Sequence, residues 1–232
     1  MADTKDFSSL EERVKIKFKD YEVLTQAFVH RSYLNEHPGF KIGHNERLEF
    51  LGDAVLELAV TEHLYEKYPN PEGELTNWRA ALVNAKTLSG VAQDLGLEEY
   101  LYLSHGESKD GGSKARQYIL ANAMEAFIGA IFLDQGMKVT KKFVDRFVLS
   151  LLPDILERRL YIDPKSRFQE TSQEKVGVTP NYRVMEEHGP DHAKEFIVGA
   201  FLGDDLVATG TGTSKQEAQV AAAESALEVK GW

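Results

Sequence analysis

Residues 44–56 read His-Asn-Glu-Arg-Leu-Glu-Phe-Leu-Gly-Asp-Ala-Val-Leu, and no other stretch constrains the chain so tightly. From Leu48 to Val60 the segment is mostly apolar, with Leu48, Phe50, Leu51, Val55, Leu56, Leu58 and Val60 among its residues. A helix apolar on most of its circumference is normally a buried one. Yet Glu46, Glu49 and Asp53 fall at i, i+3 and i+7, which puts all three on one helical face. Buried carboxylates are costly unless paired, hydrogen-bonded or bound to a metal. The stripe asks for a cation. Capping offers a competing account, because Asn45 is a good N-cap and first-turn acids answer the helix macrodipole. It covers Glu46 and part of Glu49. It leaves Asp53 unexplained, two turns in and beside Gly52, both poor helix formers.

A second segment repeats the pattern. Ile119 to Asp134 is another long apolar run, with Asn122 and Glu125 at i, i+3. Alone, such a pair would satisfy neighbouring backbone groups. Two such helices in one domain change the reading, because Gly52 and Gly129 allow close approach and bring the polar faces together. Glu49, Asp53, Glu125 and the Asn122 carbonyl oxygen would then form an all-oxygen site. Hard donors of that kind suit Mg2+, or Mn2+ as a substitute, and not zinc or copper.

Around these segments the chain has two textures. To about residue 158 it reads as helical: Leu10 to Phe18, Tyr21 to Tyr33, the acid-bearing helix as far as Tyr68, Leu75 to Leu95, Gln117 to Asp134, and Val139 to Arg158 broken at Pro153. Past residue 160 come a short helix within 166–175 and strand-like runs at 181–188, 194–202 and 206–210. An Ala-rich helix from Ser214 to Val229 closes the chain. The expected architecture is an all-α domain over 1–158, a linker over 159–163, and an α-β-β-β-α module over 164–232.

Composition narrows the partners. A net charge of −10 argues against wholesale attraction to nucleic acid or anionic membranes, so a polyanion must meet a local basic patch. With no Cys there are no disulfides, thiolate zinc sites or cysteine nucleophiles, which fits a reducing cytoplasm. Met1-Ala-Asp-Thr-Lys-Asp lacks the pattern of a signal peptide. No apolar run approaches the roughly 20 residues of a membrane helix. His30, His44 and His63 read as structural, since magnesium rarely takes imidazole.

Asn45 to Leu56 resembles the signature of the ribonuclease III family. His30-Arg31-Ser32-Tyr33, Glu72-Gly-Glu-Leu-Thr76 with Arg79, Gly106-Glu107 with Gly111-Gly112, and Ile119 to Asp134 add to it. The carboxy-terminal module is similar to a double-stranded RNA-binding domain, so the resemblance covers essentially the whole chain. It implies a magnesium-dependent endonuclease that dimerises into a valley for duplex RNA, leaving 5′-phosphate and 3′-hydroxyl ends with short 3′ overhangs. Processing of ribosomal RNA precursors and of messenger RNA is the family expectation. Carried over, Asp53 and Glu125 are catalytic, Glu49, Asn122 and Glu125 hold the metal, and Glu46 is a secondary acid near the substrate. Asn122 departs from the family's usual Asp and removes one formal negative charge. In the module the resemblance assigns RNA contact to Gln169, Glu170, His192, Ser214 and Lys215, the last two to phosphates. Gln216 and Gln219 stand where lysines are common, which predicts modest affinity, a shallow salt dependence and reliance on avidity in the dimer. The rival reading is a duplex-RNA-binding regulator with an impaired metal site.

Overall fold

The computed structural model describes residues 5–109, 114–190 and 194–232, which fall into two units, Met1–Arg158 and Arg159–Trp232. The first unit is helical: α1 (Ser8–Val14), α2 (Tyr21–Ala27), α3 (Arg31–Glu36), α4 (Glu46–Lys67) and α5 (Glu72–Val83). These are followed by α6 (Ala85–Asp94), α7 (His105–Lys109), α8 (Lys114–Gln135), α9 (Met137–Phe147) and α10 (Leu152–Glu157).

Polar caps cut the helices shorter than their apolar spacing suggests. The expected helix over Tyr21 to Tyr33 is two, α2 and α3. Asp20 caps the first through Glu22 N and Val23 N, and His30 caps the second by accepting from Ser32 N. Leu75 to Leu95 also divides, because Asn84 is extended (ψ 159°) and its side chain accepts from Thr87 N at 2.9 Å. The 139–158 segment breaks between α9 and α10, ahead of Pro153. Asn45 does not cap α4 with its side chain. Its backbone is already helical (φ −81°, ψ −11°), and its buried amide instead donates to Ala27 O at 3.3 Å.

Helix α8 is the axis of this unit, buried at most positions from Ile119 to Ile131. Phe127 on it packs against Phe28 (5.6 Å between ring centres) and edge-on against Phe143 (5.5 Å). Helix α4 lies along α8, and the two glycines set the separation as the sequence predicts. A β-carbon on Gly52 would fall on the Glu125 carbonyl oxygen and 2.9 Å from Gly129 N. One on Gly129 would fall on the Leu48 carbonyl oxygen and 3.2 Å from Gly52 N.

The far side of α4 is open, contrary to the expectation of a helix buried around most of its circumference. Phe50 is 82% exposed, Tyr65 80% and Leu58 55%. Helix α8 covers one side, and the apolar residues of α4 extend beyond what it covers.

In the second unit, α11 (Pro164–Val176) and α12 (Lys215–Lys230) cover one face of an antiparallel sheet ordered β1-β2-β3. The strands are β1 (Pro180–His188), β2 (Glu195–Leu202) and β3 (Asp205–Gly212). Ala218, Ala222, Ala223 and Ala226 give α12 a thin face that packs on the sheet around Phe168. Strand β1 carries a bulge at Met185, the extra residue between the pairs Val184–Val198 and Glu186–Ile197.

Candidate active site and duplex-binding surface

Helices α4 and α8 bring Glu49, Asp53, Asn122 and Glu125 to one seam. Glu49 and Glu125 are half-buried, while Asp53 is exposed at the edge. Burial, together with the charges of Asp53, Glu49 and Glu57, pushes the Glu125 carboxyl up to about 7. Burial and the neighbouring Glu46 charge, then Asp53, raise Glu49 as well, while a hydrogen bond from the Asn122 side chain pulls the other way. The amide of Asn122 can donate to Glu49, a role no aspartate could fill at neutral pH.

Glu57 was not among the residues singled out in the sequence. It continues the spacing of Glu46, Glu49 and Asp53 by one further turn, so the signal was present. Glu46 flanks the seam, close enough for its charge to raise Glu49, and has partners of its own. Its carboxylate lies 3.6 Å from the Arg31 guanidinium and 3.7 Å from His44 Nδ1. The His-Arg-Ser motif thus has two local uses: His30 caps α3, and Arg31 reaches Glu46.

Among the described residues no three His, Asp or Glu side chains are gathered into a closed cage for an ion. The donor set still fits a hard cation. It is all oxygen, it is anionic, and Glu125 is raised to about 7 by burial first and then by the charges of neighbouring acids. A divalent ion would relieve that crowding.

In the second unit Gln169 and Glu170 are exposed on α11, and Glu170 pairs with Arg159 at 3.2 Å. Ser214 caps α12 by accepting from Glu217 N at 3.2 Å. Lys215 follows it, exposed, with its ammonium 3.0 Å from Glu187. His192 lies outside the described residues, as do Gly111 and Gly112.

Comparison with known proteins agrees with both units. Residues 20–152 match the family model described as ribonuclease-III-like, and residues 164–230 match the double-stranded RNA binding motif. The chain is 42% identical to ribonuclease 3 of Streptococcus thermophilus over 96% of each chain. It is 40% identical to ribonuclease 3 of Roseiflexus sp., over 97% of this chain and 95% of that one. A solved nuclease domain of ribonuclease III from Campylobacter jejuni, described for flexibility in a region involved in dimer formation, shares 40% identity. It superposes with a TM-score of 0.57, covering 64% of this chain and 99% of that domain. No helix among the described residues is long and apolar enough to cross a membrane. An acid-lined seam between two glycine-joined helices, followed by a duplex-RNA-binding module, places the chain in the ribonuclease III family of endoribonucleases.

Proposed function

We propose that the protein hydrolyses phosphodiester bonds in double-stranded RNA with Mg2+ at the α4–α8 seam. The observation that carries this reading is the gathering of Glu49, Asp53, Asn122 and Glu125 where α4 meets α8, with burial and neighbouring acids raising Glu125 to about 7. Glu49, Asn122 and Glu125 are the groups that would hold the ion. When bound there, such an ion would supply a more acidic water and offset charge at the scissile phosphate. Asp53, at the exposed edge, is placed to meet water and phosphate. Glu125 is the carboxyl whose proton affinity lies closest to neutral pH, as proton handling requires. Asn122 orients Glu49 through their hydrogen bond. The products are expected to carry 5′-phosphate and 3′-hydroxyl ends with short 3′ overhangs, and the cytoplasmic precursors of ribosomal and messenger RNA are the natural substrates.

A magnesium titration of cleavage on a long RNA duplex tests this, with wild type beside Asn122→Asp. The variant restores a negative charge to the site, so its half-saturating magnesium concentration should fall about tenfold. Equal half-saturation would remove Asn122 from the metal's surroundings. Duplex binding without cleavage at any magnesium concentration would favour the regulator reading instead.

We also propose that the protein is a homodimer joined along α4. Phe50, Leu58 and Tyr65 form an uncovered apolar stripe. Beside Tyr65 lies a mainly apolar cavity of about 450 Å³ whose lining includes Leu64, Leu75, Thr76 and Arg79. Phe50 and Tyr65 are about 22 Å apart along the helix. A two-fold axis near Leu58 would carry each Phe50 to the partner's cavity, which is the self-complementarity an isologous dimer needs. Phe50→Asp should raise the dimer dissociation constant by about a hundredfold or more, read by sedimentation velocity. A variant that remains dimeric at the wild-type concentration range would rule this contact out.

A further inference from the structure

Lys215 is held against the sheet. Its ammonium lies 3.0 Å from the Glu187 carboxylate and 5.5 Å from the centre of the Phe196 ring. Strand register builds this cradle. Glu187 pairs with Phe196, and Phe196 with Gly212, so one row across the three strands leads to the turn from which Lys215 doubles back. The bulge at Met185 selects the acid. Without it, the register of Val184 with Val198 would continue to set Glu186 opposite Phe196. With it, Glu187 takes that place, and Glu186 pairs with His188 at 2.7 Å.

The rest of the α12 start offers little other charge to a polyanion. Lys215 is the only cation in residues 214–219. The Glu217 carboxylate folds back to accept from Thr213 N at 3.0 Å, and Gln219 accepts from the Lys165 ammonium at 2.7 Å. Apart from Lys165, which Gln219 holds, the phosphate attraction of this end depends on Lys215, and that lysine already has an anionic partner.

We propose that Glu187 competes with RNA phosphate for Lys215 and so sets the module's affinity for duplex RNA. This rests on the reading of Lys215 as a phosphate contact. On binding, Lys215 must exchange the Glu187 carboxylate for a phosphate, and Glu187 is then left facing that phosphate. Both effects oppose binding. An exposed ion pair of this kind shifts an equilibrium by no more than about fivefold, so the competitor yields to RNA while remaining measurable.

The test measures affinity of the full chain for a labelled RNA duplex in EDTA, across a salt series. The variants are Glu187→Gln, Glu186→Gln, Lys215→Gln and the Glu187→Gln/Lys215→Gln pair. Glu187→Gln should tighten binding by about two- to fivefold at low salt and steepen the log-affinity against log-salt slope by up to about 0.9. Glu186→Gln removes the same charge from the neighbouring position and should change neither quantity. In the Lys215→Gln background, Glu187→Gln should bring no gain. Equal tightening by both glutamate variants, or a gain that survives loss of Lys215, would overturn the competition in favour of a general field effect. If Lys215→Gln weakens binding while Glu187→Gln changes nothing, the competition alone fails. If Lys215→Gln binds as tightly as wild type, the reading of Lys215 as a phosphate contact fails with it.

Discussion

Replacing Glu125 by glutamine is expected to abolish duplex cleavage and, in the ion-free protein, to raise the melting temperature. The loss of activity should be about a thousandfold or more, since the side chain is assigned both proton handling and ion binding. The gain in stability follows from the raised carboxyl. The folded-state value is about 7, against 4.5 for an unperturbed glutamate. Below about pH 4.5 both states hold the proton, and the folded protein keeps the full benefit of the neutral acid. As pH rises from there towards 7, the unfolded chain releases its proton while the folded one retains it, so stability falls. Above 7 the full penalty stands. An undiscounted shift would amount to about 3 kcal/mol. Solvent reaches this half-buried group, so about 1–2 kcal/mol is the better expectation. That corresponds to roughly 3–6 °C at pH 8, with little difference at pH 4.5. Thermal melts in EDTA at the two pH values decide the matter. A glutamine variant melting below wild type at pH 8 would show that the carboxylate is not strained by its neighbours.

Gly52→Ala should have the opposite effect on stability and the same one on activity. The added methyl would occupy the position of the Glu125 carbonyl oxygen, which is backbone and has no rotamer to change. Helices α4 and α8 would have to separate, costing about 3 kcal/mol or more and lowering the melting temperature by roughly 6–12 °C. Because Glu49 and Asp53 ride on one helix and Asn122 and Glu125 on the other, separation also dismantles the acid seam. Gly73→Ala is the control. Gly73 lies in α5 with nothing within 4 Å of the added carbon, so alanine there should stabilise slightly. Equal melting of Gly52→Ala and wild type would mean the helices can move apart at no cost.

The seam was legible in the sequence because its signals are local. Two acids, or an acid and an amide, in an apolar run need only helical spacing to be placed on one face. Gly52 and Gly129, in otherwise apolar helices, suggested a close crossing, and the structure has one. The breaks were harder to see. Nothing in the apolar spacing between Leu75 and Leu95 announces that Asn84 will cap a new helix, because Asn is tolerated in helix interiors as well. Asn45 misled for a related reason: it has the right chemistry for a cap, but tertiary packing gave its amide to Ala27. The bare stripe on α4 was read as core, since a sequence shows which residues are apolar and not how many neighbours will arrive to cover them. The Glu187–Lys215 pair joins residues far apart in sequence through a one-residue bulge, and no periodicity encodes that.

The open face of α4 also bears on how the chain stays dispersed. A single chain displaying Phe50, Leu58 and Tyr65 has an adhesive strip on its surface, the kind of patch that drives indiscriminate clumping. Asp53 and Glu57 are exposed on the same helix, one turn or less from Phe50, Ala54 or Leu58. Charges so placed act as gatekeepers, because any wrong apolar contact would have to dehydrate them. The acids of the seam thus have a second duty as solubilising groups. Neutralising Asp53, whatever it does to the proposed reaction, would also strip the strip of one of its guards, so an Asp53→Asn variant is expected to be a poorer soluble protein than Glu125→Gln.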